Sequence, residues 1–522
     1  MTSRISQLFS RPPTSSSRAS DFLFLAPAQR ARLHSTEPLP RTSEFTRATP
    51  ESTPPRVVSS IAVFAALLTL GCASRAPATG TSDTPSSSGK DAPPSAEEAA
   101  PPPSWPRGET VSFDAELSEV EAVRGLKKKR DVIGKTIATA ELRRHLAANF
   151  ESEVPAAARH GTEETLVALG VAPLDFDYSA AVLSLMESDL AGFYDPRLGG
   201  MFIRDELEGE LRRATLAHEL VHALQDQHFD LSPITRFEKD ATDRVSAFAC
   251  LAEGDATSAM FDGMMRGSGK TALDLPAGVI EAQMALASAA EPEDHRVPAI
   301  LRRSLIAPYA DGLRFVHELR RRGGFEEVNR AFAKPPTSTE QVLHIEKYLV
   351  DEPRDVALPS APPGDGWKLT FHDVWGEQSV RLLLEEWLPR PTSAAAAAGW
   401  GGDRLALFER GHEHALVWVI EMDDAREAEE LTTALRRGAA ARGGRAAHAS
   451  PPPLGAPACT ARTDLGPFVV AWDGKTRVVL TSGPYDRAAA QAEPHAEKSA
   501  TDERARRDCH AMSPWVATLL AP

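Results

Sequence analysis

The stretch of sequence that decides the fold is TLAHELVHALQDQHFDL, Thr215 to Leu231, which contains three histidines and a glutamate directly after the first of them. Its start, His218-Glu219-Leu220-Val221-His222, matches the pattern H-E-x-x-H. Residues four apart lie on one face of a helix, so both imidazoles can reach one metal ion, and Glu219 then sits beside the open coordination position. The motif therefore predicts a helix that carries a zinc site with a general base next to it.

The third ligand has two candidates, and the first is His228. In metzincins the pattern extends to H-E-x-x-H-x-x-G-x-x-H, and His228 occupies the last histidine position, but Gln225 stands where the glycine belongs. That glycine lets the helix end sharply, so that the third histidine turns toward the metal. If the helix continues, His228 lies about 240° round the axis from His222. The spacing therefore disfavours His228.

The second candidate is Glu253, in the segment VSAFACLAEGDATSAMF at 245–261. Small and apolar residues surround it, and a carboxylate in such a setting is costly unless it meets a charge or a metal. The alternative is a solvated helix glutamate. Glu253 follows His222 by 31 residues, which is enough for a loop and a returning helix. We expect His218, His222 and Glu253 to bind one Zn²⁺ per chain, because two histidines and a glutamate form a known zinc ligand set.

Four segments together resemble a family of largely uncharacterised gluzincin-type zinc metallopeptidases, many of them envelope lipoproteins. The resemblance extends over about residues 110–350, and the segments are AGFYDPRLGGMFI at 191–203, LAHELVHALQDQHFDL at 216–231, AEGDAT at 252–257 and PPTSTEQVLHIEKY at 335–348. It implies hydrolysis of peptide bonds in a peptide or protein substrate by a zinc-activated water, with Glu219 as general base.

The resemblance also implies residues around the metal. An edge strand ahead of the active-site helix, formed by 193–194 or 201–203, would align the substrate. A histidine or tyrosine would stabilise the oxyanion, and the candidates are His344, Tyr309 and Tyr348, with His344 preferred over its alternative as a structural loop residue. Asp226, one turn after His222, is a candidate acceptor for the second ring N–H of that histidine, or else a solvated carboxylate.

The N-terminal residues 1–72 are typical of a leader with a lipoprotein signal peptide. The apolar run from Val57 to Leu70 is shorter than the roughly 20 residues of a membrane span and has the length of a signal-peptide core. Gly71 and Cys72 resemble a lipobox, although Thr69 stands where leucine is usual, and we expect translation to start shortly before Val57. A lipid on Cys72 would anchor the protein to the bacterial cell envelope, and Ala73 after that cysteine resembles the outer-membrane default.

Composition limits the partners and the cysteine chemistry. The chain of 522 residues has a formal charge of -15 and no run of basic residues interleaved with aromatics, so we expect no nucleic-acid partner. Apart from Cys72, the chain has three cysteines, of which Cys459 and Cys509 can pair in an oxidising compartment and Cys250 is expected to be a buried thiol. No C-x-x-C occurs, so a thiolate zinc site is not supported.

The predicted fold class is α+β, with a mainly helical zincin-like domain, a short β-hairpin or edge strand, and a smaller α+β C-terminal domain of unknown role. Helices are predicted at 137–150, 161–170, 178–190, 208–227, 240–265, 276–290, 298–322 and 325–333, and the hairpin at 191–203. The predicted organisation is a disordered Ala/Pro/Ser-rich tether at 73–106, the metallopeptidase domain at 107–350, a linker at 351–366 and the C-terminal domain at 367–522, with paired strands, a helix at 424–437 and a hairpin turning at 473–474.

A different class of function stays open beside the enzyme. The chain could be a non-catalytic envelope binding or assembly lipoprotein whose zinc site is structural or vestigial. Glu219 is the residue that separates the two, because a structural site has no use for a base beside an open coordination position. The sequence does not identify the peptide substrate.

Overall fold

The computed structural model describes residues 105–189, 191–276, 297–442, 445–446, 452–462, 464–492 and 501–521. The expected leader, the apolar run 57–70, Cys72, nearly all of the tether and nearly all of the predicted helix 276–290 lie outside these residues. Across the described ranges, no helix combines the length and apolar character that crossing a membrane requires.

The fold is α+β, and its part before residue 351 is mainly helical. The helices here are α1 (Asp114–Arg124), α2 (Thr139–Glu153), α3 (Ala156–Ala168), α4 (Tyr178–Asp189), α5 (Gly209–Phe229), α6 (Thr242–Met265), α7 (Ala299–Ala333) and α8 (Thr339–Leu343). The predicted break after residue 322 is confirmed, since Gly323 and Gly324 have non-helical backbone angles inside α7 and Gly324 is left-handed at φ 65°. Helix α1 was not predicted.

A four-stranded sheet lies beside these helices. Its strands are β1 (Glu109–Val111), β2 (Ile133–Ile137), β3 (Gly192–Asp195) and β4 (Gly200–Arg204), in the order β1-β2-β4-β3. β2 and β4 run parallel, and the other two pairs are antiparallel. The predicted hairpin at 191–203 is confirmed as β3–β4, and β3 is an edge strand of this sheet.

Helix α5 carries the H-E-x-x-H motif and is buried by its apolar face. Leu216, Leu220, Val221 and Leu224 recur at helical spacing, and each is at most 1% exposed. They pack in one hydrophobic cluster with Met201 of β4, so the sheet fixes the rotation of α5 about its axis. The helix continues past Gln225 to Phe229, as expected where no glycine ends it.

Helix α6 carries Glu253 and packs against α7 with almost no gap between the two backbones. A Cβ on Gly254 would come within 2.2 Å of the carbonyl carbon and oxygen of Gly312, and a Cβ on Gly312 within 1.9 Å of the Cys250 carbonyl oxygen. Only glycine fits at such a crossing. The position of Glu253 is therefore tied to a backbone-to-backbone contact one residue away.

Substituting Gly254 with alanine should lower the free energy of unfolding by about 3 kcal/mol, because the new methyl group meets backbone that cannot rotate away. Gly263→Ala is the matched control on the same helix, since the nearest atom to its new Cβ lies at 4.0 Å. That control should be neutral or stabilise by up to about 1 kcal/mol through helix propensity. Urea titration monitored by circular dichroism measures both, and equal midpoints would contradict the close approach of α6 and α7.

The C-terminal part is a seven-stranded antiparallel sheet with helices. Its strands are β5 (Lys368–Asp373), β6 (Trp400–Arg410), β7 (Glu413–Met422), β8 (Arg445–Ala446), β9 (Ala458–Arg462), β10 (Gly466–Trp472) and β11 (Arg477–Asp486), in the order β5-β6-β7-β11-β10-β9-β8. Its helices are α9 (Gly376–Leu384), α10 (Arg390–Ala397), α11 (Ala425–Ala441), α12 (Arg487–Ala492) and α13 (Thr501–Leu520). The predicted strand pair, helix and hairpin are confirmed as β6–β7, α11 and β10–β11.

The helical part and the seven-stranded sheet share one hydrophobic core. A single cluster of buried side chains extends from α2, α3 and α4 into β5, β6, β7, β10 and β11. The contact is close, because a Cβ on Gly161 of α3 would come within 2.3 Å of the Phe371 ring on β5. Residues 351–362, inside the predicted linker, form no helix or strand, but the Arg354 N–H donates a hydrogen bond to the Gly401 carbonyl at 2.6 Å.

A disulfide joins Cys459 of β9 to Cys509 of α13 across 50 residues. Closing a loop of that length lowers the entropy of the unfolded chain, a stabilisation of about 4 kcal/mol. Cys250 is free and buried, as expected from the sequence, and burial raises the pKa of its thiol.

Candidate metal centre

Helices α5 and α6 bring the three predicted ligands together. His218 Nε2 lies 3.0 Å from Glu253 Oε2, His222 Nε2 lies 3.4 Å from Glu253 Oε1, and the two histidine Nε2 atoms are 3.0 Å apart. The side chains of His222 and Glu253 are fully buried, and that of His218 is 5% exposed. These three residues form a group whose ligand atoms all lie within 4.8 Å of one another, close enough to bind one metal ion.

The arrangement fits a small divalent cation. Tetrahedral ligands at about 2.0–2.2 Å from zinc lie roughly 3.3–3.6 Å from each other, near the 3.0–3.4 Å that separate the two Nε2 atoms and the carboxylate oxygens of Glu253. Glu253 Oε1 is buried and has no hydrogen-bond partner among the described residues. The two Nε2 atoms point at each other, so a cation between the three side chains would satisfy both lone pairs and the unpaired oxygen.

The charges of the cluster are strongly coupled. Burial alone would lower the pKa of His222, but the charge of Glu253 and the hydrogen bonds of the ring raise that pKa to about 9. Burial would raise the pKa of Glu253, but the two histidines lower it to about 2. Glu253 therefore stays ionised at neutral pH, and a bound metal would replace the proton that the histidines otherwise share.

Glu219 lies on the same helix and contacts the edge strand β3. Its Oε2 accepts a hydrogen bond from the Tyr194 N–H of β3 at 3.0 Å, and the residue is 1% exposed. Its charge also contributes to the raised pKa of His222. The structure thus orients the predicted base by a backbone donor of the strand that precedes the helix.

The partner of His222 Nδ1 is Gln225 and not Asp226. Gln225 Oε1 lies 2.8 Å from His222 Nδ1, and Gln225 Nε2 donates to Asp255 Oδ2 at 2.8 Å and to the Ala252 carbonyl at 3.0 Å. Asp255 forms a fully buried ion pair with Arg124 of α1 at 2.7 Å. A chain of hydrogen bonds therefore fixes the His222 ring from three helices.

Asp226 instead lies toward the edge strand. Its Oδ2 accepts from the Tyr194 hydroxyl at 2.8 Å and pairs with Arg130 at 2.6 Å. The sequence pattern did not predict the role of Gln225, because position 225 enters the metzincin motif only as the place of a glycine. Its i+3 spacing from His222, on the same helix face, was the signal that could have found it.

Replacing Gln225 with leucine should weaken metal binding by about 10–100-fold, because His222 loses the acceptor that orients its ring. Asp226→Asn is the matched control, one residue further along, and should leave metal affinity unchanged. Competition with a chromophoric zinc chelator measures both variants. If Asp226→Asn weakens binding and Gln225→Leu does not, the assignment of the two side chains is reversed.

The other candidate residues lie at different places. His344 Nε2 pairs with Glu377 Oε1 at 2.8 Å, and no described contact joins it to the cluster, whereas the Tyr309 ring of α7 lies 5.8 Å from the His218 ring, centroid to centroid. Tyr348 donates its hydroxyl to the Lys334 carbonyl at 2.6 Å. His228 Nε2 lies 2.7 Å from the Lys127 carbonyl, away from the other two histidines. Tyr309 is thus the oxyanion candidate beside the cluster.

The C-terminal sheet is the part of the chain that matches a known protein family. A family model described as a domain of unknown function, DUF8575, matches residues 368–492. No curated protein and no solved structure matches the chain. The matched residues include β5, β6, β7 and β11, whereas the candidate metal ligands on α5 and α6 lie outside the match.

Proposed function

We propose that the protein is a zinc metallopeptidase with a zincin-like catalytic domain. The observation that carries the proposal is the convergence of His218, His222 and Glu253 from two helices, with Glu219 held beside them by the edge strand. The ligand set has two imidazoles and one carboxylate, which suits Zn²⁺, and leaves a position for a reactant.

The chemistry follows from the residues around that position. A zinc ion bound by the three side chains would polarise a water molecule and lower its pKa to about 7. With a metal bound there, Glu219 would be the group that accepts a proton from the attacking water and donates it to the leaving amine. The Tyr309 hydroxyl is the nearest candidate to donate a hydrogen bond to the developing oxyanion, because its ring lies against His218.

The edge strand supports a peptide as the substrate. Among the described strands, β3 pairs with β4 alone, and it contacts α5 through Tyr194. An extended peptide can add to such an edge by main-chain hydrogen bonds, which would bring its scissile bond to the metal ligands. The ion pair of Arg130 with Asp226 and the hydrogen bond of Asp226 with the Tyr194 hydroxyl hold this strand in place.

We further propose that the enzyme is lipid-anchored in a bacterial envelope, through Cys72. The disulfide between Cys459 and Cys509 supports an oxidising compartment, since such bonds are rare in reducing ones. The formal charge of -15 supports a protein or peptide partner over nucleic acid.

One observation favours the second candidate, a structural metal in a non-catalytic protein. His218, His222 and Glu253 are each at most 4% exposed as residues. Structural zinc sites are closed, and catalytic ones keep an open position. The two functions differ in whether the metal-loaded chain hydrolyses peptides.

The test uses the full chain, stripped with a chelator and then loaded with Zn²⁺. We expect zinc to bind at this cluster and the loaded protein, but not the stripped one, to cleave casein or members of a peptide library that includes envelope proteins. Zinc binding without cleavage of any substrate favours the structural metal. Absence of zinc binding at the cluster would contradict both functions.

A further inference from the structure

A second group of possible metal ligands lies where the helical part meets the seven-stranded sheet. It consists of His160 on α3, Glu409 at the end of β6 and His414 at the start of β7. Glu409 and His414 are register partners across the β6–β7 hairpin, so the hairpin places them side by side. None of these residues belongs to the candidate metal centre on α5 and α6.

The ligand atoms converge on one carboxylate oxygen. Glu409 Oε1 lies 2.9 Å from His160 Nε2 and 3.7 Å from His414 Nδ1. The three ligand atoms all lie within 4.8 Å of one another, and the two imidazole rings meet edge to face at 6.2 Å. The two separations from Glu409 Oε1 are near the roughly 3.3–3.6 Å expected between tetrahedral ligands at about 2.0–2.2 Å from one cation.

An unpaired polar atom points into this group. His414 is 9% exposed, and its Nδ1 has no hydrogen-bond partner among the described residues. Two carboxylate oxygens, Glu409 Oε1 and Glu164 Oε2, are both 3.7 Å away, too far for a hydrogen bond. A buried imidazole nitrogen without a partner is costly, and a metal ion bound to it removes that cost.

Glu164 lies behind the group as an outer carboxylate. It is on α3 one turn after His160, and it accepts a hydrogen bond from the Tyr485 hydroxyl at 3.0 Å and pairs with Arg487 at 2.6 Å. Both of its oxygens are thus engaged on the sheet side. The His160 side chain, by contrast, is 49% exposed, so a fourth coordination position faces solvent.

We propose that His160, Glu409 and His414 form a second metal site, selective for Zn²⁺ or a similar borderline divalent ion. Two imidazoles and one carboxylate favour such an ion over Mg²⁺ or Ca²⁺, which prefer oxygen ligands. The proposal does not depend on the activity of the first site.

The metal at this site would be structural. One ligand comes from α3 and two come from the β6–β7 hairpin, so the ion cross-links the helical part to the seven-stranded sheet. Such a cross-link stabilises the folded state by an amount that grows with the logarithm of metal concentration above Kd, because the ligands are together only when the chain is folded. The range 368–492 that matches the family model includes Glu409 and His414 but not His160.

The experiment compares His160→Gln with His412→Gln in the full chain. His160 is half exposed, so its substitution removes a ligand with little change in packing, and His412 is an exposed histidine in the turn of the same hairpin. Each protein is stripped with a chelator and titrated with Zn²⁺, and both bound zinc and Tm are measured. We expect two zinc equivalents in the wild type and in His412→Gln. In His160→Gln we expect one tightly bound zinc equivalent. The second zinc ion should bind at least 100-fold more weakly, and the rise in Tm on adding zinc should be smaller.

The two sites are counted separately by combining these variants with Glu253→Gln, which removes a ligand of the first site. One outcome would overturn the second site and leave the first. In it, the wild type binds only one equivalent of zinc, His160→Gln still binds that equivalent, and Glu253→Gln does not. Loss of zinc in His412→Gln as well as in His160→Gln would also overturn the proposal, because the binding would then belong to surface histidines in general.

Discussion

Replacing Glu219 with glutamine should lower peptide hydrolysis by about 10²–10⁴-fold while zinc content and Tm stay unchanged. Glutamine has nearly the same volume, and its amide oxygen can still accept the hydrogen bond from the Tyr194 N–H that Glu219 accepts at 3.0 Å. It cannot, however, take a proton from the attacking water. The measurement is kcat/KM on a fluorogenic peptide selected from the casein digest, beside zinc content and thermal unfolding of the same preparations.

Glu208→Gln is the control for this substitution, because Glu208 is exposed and directly precedes the same helix. It removes the same charge and should leave activity unchanged. If Glu219→Gln cleaves the peptide as fast as the wild type, Glu219 is not the base. An equal loss in Glu208→Gln would mean that the overall charge, and not the positioned carboxylate, is responsible.

Replacing Glu253 should abolish metal binding at the α5–α6 cluster. Glu253→Ala removes a fully buried candidate ligand whose oxygens lie within 3.4 Å of both histidine Nε2 atoms. Glu253→Gln keeps the volume and removes the charge, so it separates metal loss from a packing defect. We expect at least 100-fold weaker zinc binding at this site in both variants, a larger effect than the 10–100-fold typical of outer residues, and no hydrolysis.

His228→Ala is the control for this test, because His228 is the alternative candidate for the third ligand. His228 contacts the Lys127 carbonyl and lies on the part of α5 that continues past Gln225, so its removal should keep both zinc and activity. Chelator competition measures the affinities, and circular dichroism checks that each variant is folded. Zinc loss in His228→Ala together with zinc retention in Glu253→Gln would identify His228 as the third ligand.

The sequence predicted the elements that have strong local signals. Helices α5 and α6 were predicted from apolar spacing, and β3–β4 from Asp195-Pro196 and Gly199-Gly200 between two apolar arms. The prediction of Glu253 rather than His228 as the third ligand also depends on local signals. A glutamine at 225 continues the helix, and a carboxylate among apolar residues needs a partner, and in the structure it has two histidines.

The sequence did not predict features that depend on which elements meet. The pairing of β2 with β4 joins residues about 67 positions apart, and no local pattern encodes such a partner. Tyr309 lies beside His218 on α7, and the close approach of α7 to α6 requires the glycines at 254 and 312. His344 is a suitable residue type for an oxyanion stabiliser and lies in a segment that resembles the family. In the structure, however, it pairs with Glu377 on α9, which follows the predicted linker in the chain.

The shared core of the helical part and the seven-stranded sheet has a consequence for limited proteolysis. Residues 360–366 contain several exposed positions, so a protease can cut there, yet each fragment would then expose its half of one hydrophobic interior. Because Phe371 packs on Gly161 and the Ser482 hydroxyl donates to the Ala168 carbonyl at 2.6 Å, the two fragments would remain associated after cleavage. The nicked protein would thus migrate as two bands under denaturing conditions and as one particle under native ones.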